Sequence, residues 1–247
     1  MKTSCTILIL ITLIKASVAQ DALEIVKKAD EKMQGNSSQS EMEMTLVRQT
    51  WQRSLTFKNW TLGTEYALTL ITAPAKESGQ SFLKLKNDMW NWNPMVNKII
   101  KLPPSMMSQG WMGSDYTNDD VLKESSIVVD YTHKIIGIEN LTGSDCWKIE
   151  LTPNEKAAVV WGKIIMWISK QDYMQLKIEY YDEDMVLIKT HTGSEIKNMG
   201  GRTIPTRFEI IPADKPFQKT IVVIKSILWD KDIPVSFFSQ QNMKKIK

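Results

Sequence analysis

The spacing of apolar residues changes once along this chain, from a helical period to a strand period. Ala22, Ile25, Val26, Ala29 and Met33 recur at helical spacing, with Glu24, Lys27, Lys28 and Glu31 on the other side. This predicts an amphipathic helix over 21–34, ended by Gly35-Asn36-Ser37-Ser38. From Ser40 the period is two. Met42, Met44 and Leu46 alternate with polar residues, as do Leu55 and Phe57, then Tyr66, Leu68 and Leu70, then Leu83 and Leu85. Four strands joined by short links predict an antiparallel meander that is wet on one face. Alternation resumes over 126–140, 145–151, 163–169, 174–181, 186–196, 202–211 and 217–229, and the tail 236–245 reads as a short helix or an edge cover. The expected fold class is mainly β (α+β), a single domain over residues 20–247.

Between the two strand series lies Asn87 to Val121, a long connection that stays apolar. It carries Trp90 and Trp92, a strand-like stretch around Ile99 and Ile100, a Pro-Pro break, then Met106, Met107, Trp111 and Met112. Met re-packs around irregular partners, and long connections inside compact domains are usually functional. Two readings stand: a lid over the protein's own core, or a lid over a ligand. Thr117 with Asp120 three residues on forms a capping-box pair ahead of a short helix. Asp115, Asp119 and Asp120 lack the alternating spacing and distal Glu of a calcium loop.

Residues 1–19 have the form of a secretory signal: Lys2, an apolar run from Cys5 to Ile14, and Ser17-Val18-Ala19 before the cut. The run is too short to span a bilayer, which takes about twenty residues. The expected product is exported and free of a membrane span. Without Lys2 and Lys15 the chain is close to neutral, which gives no reason to expect nucleic acid as a partner. Cys146 alone remains after cleavage, so no internal disulfide forms, and its strand setting reads as a small buried hydrophobe.

Catalytic and metal signatures are missing from the sequence. His133 and His191 read as separate surface strand positions, neither beside a second ligand at metal spacing. No nucleophile elbow, zinc-helix motif or phosphate loop occurs. The cluster of Glu179, Asp182, Glu183 and Asp184 falls at a hairpin tip, where charge serves solvation. No catalytic residue, cofactor or metal is therefore assigned. What remains is apolar bulk: Trp51, Trp60, Trp90, Trp92, Trp111, Trp161 and Trp167, with many methionines, on a sheet whose inward residues would meet at one interior. That interior is either a full aromatic core or a cavity for a lipid chain.

The run DMWNWNP…VNKIIKLPP…WMGSDYTNDDVL, behind one amphipathic helix and ahead of further strands, resembles the LolA-like outer-membrane lipoprotein-sorting proteins. Met89, Trp90, Pro94, Met112, Gly113, Asp115, Tyr116 and Asp120 match the pattern typical of the larger branch of that superfamily, whereas Asn91-Trp92-Asn93 and Asn97-Lys98 depart from it. The resemblance implies an unclosed, strongly curved antiparallel β-barrel with a helical and loop lid over its concave face. It implies a periplasmic carrier of acylated lipoproteins or lipids, without enzymatic activity, working beside an inner-membrane exporter of the ABC or RND type. The implied groove is Met44, Leu46, Leu55, Phe57, Leu68, Leu70, Trp90, Trp92, Met106, Met107, Trp111 and Met112. Arg48 and Arg53 are the candidate lid latches, since the best-known carrier holds its lid with an arginine on an early strand. Two other classes stay open: an accessory envelope protein gripping an exporter through the same face, and a lipid-directed enzyme.

Overall fold

A computed structural model describes residues 22–247 apart from residue 87, residues 123–125 and residue 158, and leaves aside the side chains at 104, 119 and 122. The expected signal segment, residues 1–19, lies outside the described residues, as does the side chain of Asp119. Helix α1 covers 22–34. The first meander is β1 (Ser37–Val47), β2 (Gln52–Leu62), β3 (Tyr66–Ala73), β4 (Ser81–Leu85), β5 (Asp88–Asn93) and β6 (Lys98–Lys101). The second is β7 (Tyr131–Leu141), β8 (Ser144–Pro153), β9 (Lys163–Ser169), β10 (Gln175–Tyr181), β11 (Leu187–Met199), β12 (Arg202–Pro212) and β13 (Lys219–Trp229). Short helices α2 (Asn118–Leu122) and α3 (Gln240–Met243) complete the chain.

All thirteen strands belong to one sheet, ordered β6-β5-β4-β3-β2-β1-β13-β12-β11-β10-β9-β8-β7. The two meanders join where β1 pairs antiparallel with β13, Met44 opposite Val222. Among the described residues β6 and β7 do not pair, so the sheet curls into a barrel that stays open. Irregularities at Glu41/Met42, Thr56/Phe57, Ile135/Gly137, Gln175/Lys177 and Tyr180/Tyr181 mark where it bends, as bulges do.

Alternation sorts each strand onto two faces. Met42, Met44, Leu55, Phe57, Ile71, Phe82, Met89, Phe208, Val222 and Ile224 pack together on the concave face. Helix α1 covers the far part of that face, burying Ala22, Ile25, Val26 and Ala29 against Ile149, Leu151, Trp161, Ile164 and Met166. On the convex face the C-terminal tail lays Phe238 and Met243 over Trp60, Leu68, Leu70, Leu83 and Trp92. Ser81 Oγ ties it down by donating to the Met243 carbonyl at 2.6 Å.

Three expectations need correction. Residues 126–130 form a turn and not the start of a strand, because Ser126 and Asp130 side chains accept the local N–H groups that a ladder would need. Trp90 and Trp92 belong to β5 and not to the lid. The tryptophans do not share one interior: Trp51 is exposed, Trp60, Trp90 and Trp92 lie under the tail, and Trp167 packs with Cys146 in a separate cluster.

Candidate functional site

The concave face encloses a cavity of about 590 Å³. Its walls come from Met42, Met44, Phe57 and Phe82 on one side and from Ile164, Met166 and Ile178 on the other. Phe208, Val222 and Ile224 form the floor. Trp111 descends from the lid to complete it, edge-on to Phe57 (5.6 Å between centroids, 80°) and to Phe82 (5.3 Å, 67°). At the rim formed by the β2–β3 and β4–β5 turns the lining turns polar, with Thr64, Glu65 and Lys86 beside Asp30 and Gln34 of α1.

The lid, residues 102–122, is shaped by its own backbone. Gly110 and Thr117 form an isolated bridge, and the Trp111 N–H donates to the Tyr116 carbonyl at 2.7 Å. The side chain that is absent at Gly110 would have met the Ser114 carbonyl at 2.5 Å, so only glycine closes this loop. Thr117 and Asp120 form the expected reciprocal cap: the Asp120 N–H donates to Thr117 Oγ1 at 3.0 Å, and the Thr117 N–H to Asp120 Oδ2 at 2.7 Å.

Two arginines flanking the β1–β2 turn, Arg48 after β1 and Arg53 in β2, donate to the lid. Arg48 forks onto Asp115, Nη1 to Oδ2 at 3.1 Å and Nη2 to Oδ1 at 3.2 Å, and also donates to the Gly113 carbonyl at 3.0 Å. Both side chains are only 11% exposed, and Thr220 Oγ1 adds a bond to Asp115 at 2.6 Å. Arg53 donates to the Met112 carbonyl and pairs with Glu77 at 3.1 Å. Bidentate, charge-assisted bonds of this kind are stronger than neutral ones.

A second fastening, on the opposite wall, has no counterpart in the motif reading. Lys189 of β11 pairs with Asp120 and lies over the rings of Trp161 (4.7 Å) and Tyr180 (5.1 Å). His191, two residues on and therefore on the same face, stacks on Phe208 (5.3 Å, 24°) and puts Nε2 3.3 Å from Tyr116 Oη. Its expected surface position is thus corrected: it lines the cavity. Burial, aided by the Lys189 charge, lowers the His191 pKa to about 4. Burial first, then Asp120, pushes the Tyr116 phenol up. His133 lies apart, its Nε2 2.6 Å from the Ile127 carbonyl, and burial lowers its pKa.

Of the groove residues expected from sequence, Met44, Phe57 and Trp111 line the cavity. Leu46, Leu55, Met107 and Met112 pack in the same cluster behind that surface. Leu68, Leu70, Trp90 and Trp92 are on the other side of the sheet, because their position in the alternation is opposite to that of Thr69, Phe82 and Met89. Met106 is exposed on the lid. Lys189 is missed in the sequence and His191 is read there as a surface position; their only shared signal is i, i+2 spacing in a strand. Among the described residues no three His, Cys, Asp or Glu side chains converge as metal ligands, and no helix is long and apolar enough to cross a membrane.

Comparison with known proteins agrees on the architecture. A family model described as an uncharacterized protein matches residues 63–245. No curated protein matches the chain. A DUF1329 family protein from Desulfovibrio piger superposes with a TM-score of 0.83 at 21% identity, covering 92% of this chain and 99% of its own. A domain from Vibrio parahaemolyticus, described as an outer membrane lipoprotein-sorting protein, gives 0.80 at 21% identity with the same coverage of 92% and 99%. A LolA superfamily protein from Nitrosomonas europaea gives 0.75 at 24% identity, covering 89% and 98%. With its open thirteen-stranded barrel and the lid over its concave face, the chain shares the fold of these solved structures and belongs to the family whose model spans residues 63–245.

Proposed function

We propose that this protein is a non-enzymatic carrier that holds acyl chains of lipids or lipoproteins in the concave cavity and passes them between envelope components. The observation that carries this reading is the cavity itself, about 590 Å³ with largely apolar walls beneath a lid held by point contacts. Sites for small molecules typically span ~300–1,000 Å³. Each methylene removed from water contributes ~0.8 kcal/mol, so about ten of them give about 8 kcal/mol, enough to keep a chain out of water. Methionines at Met33, Met42, Met44, Met89 and Met166 give a wall that adapts to different chains. The lipoprotein-sorting description of the Vibrio parahaemolyticus domain supports the same cargo class. Export to the periplasm after cleavage at residue 19 completes the proposal.

The test is to isolate the protein from its native envelope without detergent, extract it with organic solvent and analyse the extract by mass spectrometry. A stoichiometric acylated species is the expected result. An empty extract, from protein that also fails to take up a fluorescent fatty acid, would leave the accessory role at an exporter as the better reading.

A further inference from the structure

Strand direction alternates through the sheet, so every turn belongs to one of two rims. The connections after β1, β3, β5, β8, β10 and β12 lie at the rim where the arginines hold the lid, and those after β2, β4, β7, β9 and β11 at the other. The two rims differ in what they show to water. At the opposite rim lie Gly63-Thr64-Glu65, Lys86, Thr142-Gly143, Lys170 to Tyr173 and Gly200-Gly201, and none of these described turn residues exposes a large aliphatic side chain or a Trp or Phe. At the lid rim Phe217 is 79% exposed, Met95 76% and Trp51 50%, with Met185 and Val186 similarly open.

Three of these tips are consecutive around the barrel. The β1–β2 turn adjoins the β12–β13 turn through the pairing of Val47 with Lys219. The β12–β13 turn adjoins the β10–β11 turn through the Ala213 N–H, which donates to the Ile188 carbonyl at 2.8 Å. Trp51, Phe217 and Met185-Val186 therefore follow one another along about 20 Å of rim, taking two strand spacings of ~4.8 Å per hairpin.

We propose that the lid rim seats on a lipid bilayer by inserting these three hairpin tips. A protein partner fits the geometry less well. The apolar residues stand on separate tips among charged neighbours (Asp182 to Asp184, Asp214, Lys215), whereas a stable protein interface needs roughly 1,000 Å² of continuous complementary surface. A bilayer is fluid and accepts separate points. Trp, Phe and Met are side chains suited to the headgroup boundary, and binding there scales with inserted apolar area. Since charge at this rim is of both signs, insertion and not electrostatic attraction sets the affinity. Trp51 also lies over the Arg48 guanidinium, 5.8 Å from the ring centroid, so the seated tip touches the residue that fastens the lid. The inference does not depend on what the cavity carries.

Flotation of the protein recovered from its native envelope with phosphatidylethanolamine and phosphatidylglycerol vesicles tests it. Wild type is expected to float, and to do so at high salt as well. The triple variant Trp51→Ser, Met185→Ser, Phe217→Ser is expected to lose at least about tenfold in bound fraction, with an unchanged Tm to show that it folds. Ile138→Ser, an exposed residue on the edge strand β7, is expected to bind like wild type. The proposal is overturned if wild type stays with the supernatant, if the triple variant floats equally well, if high salt abolishes binding, or if only native membranes with their proteins retain it.

Discussion

The two covers of the concave face are built on opposite principles. Over β7 to β10, α1 lies on the sheet through Ala22, Val26 and Ala29, all fully buried, and its charged contacts, Lys32 to the Asp172 carbonyl and Arg202 to the Glu31 and Lys32 carbonyls, sit at its C-terminal end. Over β1 to β5 the lid buries one large residue, Trp111, packs Leu102, Met107, Met112, Tyr116 and Val121 only partly, and is held at points by Arg48 and Arg53 and, from β11, by Lys189. The lid side also carries three of the four unpartnered buried polar atoms among the described residues, the fourth being Ser40 Oγ of β1. Trp111 Nε1, Arg53 Nε and Glu77 Oε2 are buried without a partner among the described residues. Each such atom costs ~1–3 kcal/mol. An apolar seam releases only on unfolding, whereas a few polar fastenings around one ring can open as a unit.

Three experiments probe this contrast, in order of effect. Val26→Asp puts a charge into the helix seam and is expected to cost about 5 kcal/mol, enough to abolish folding in a domain of ordinary stability; thermal unfolding measures it. Arg48→Met leaves Asp115 buried with its main partner gone, which typically costs ~3–5 kcal/mol. Hydrogen exchange should then quicken at 111–116 by orders of magnitude while α1 keeps its protection, and equal loosening of both covers would contradict the contrast. The third is pH dependence. His191 is held at about 4 in the fold against an ordinary 6.5. Between those values the unfolded chain binds more protons, so stability is full above about pH 6.5 and falls as pH drops towards 4. At ~1.4 kcal/mol per pH unit the loss is at most about 3 kcal/mol, and contact with the cavity reduces it. His191→Phe should flatten that slope.

The sequence carried most of the architecture because the signals were local. The 3.6-residue spacing of α1, the period-two runs and the turn residues between them predict eleven of the thirteen strands, the strand-like stretch around Ile99 and Ile100 gives β6, and Thr117 with Asp120 predicts the cap before α2. Arg48 and Arg53, the two latch candidates, both donate to lid residues, Arg48 to Asp115 and to the Gly113 carbonyl and Arg53 to the Met112 carbonyl. The site was harder to read, since alternation states that Leu68 and Thr69 face opposite ways but not which of them faces in. Leu68, Leu70, Trp90 and Trp92 look like groove residues until the tail supplies a second apolar layer through Phe238 and Met243. Lys189 and His191 meet Asp120 and Tyr116 only because β11 curls under α2 about seventy residues later in the chain, and spacing in sequence does not encode such a meeting.

The central claim, a cavity that takes an acyl chain beneath the lid, can be read directly from the methionines. Met42, Met44, Met89 and Met166 line the cavity, whereas Met95 and Met185 are exposed on hairpin tips and Met243 of the tail is buried against the convex face. With isotope-labelled methionine methyl groups, a titration with palmitate below its micelle concentration should shift the first four resonances, saturably and at one equivalent, and leave the other three in place. Shifts confined to Met95 and Met185, or none at all, would mean that the cavity does not take the chain.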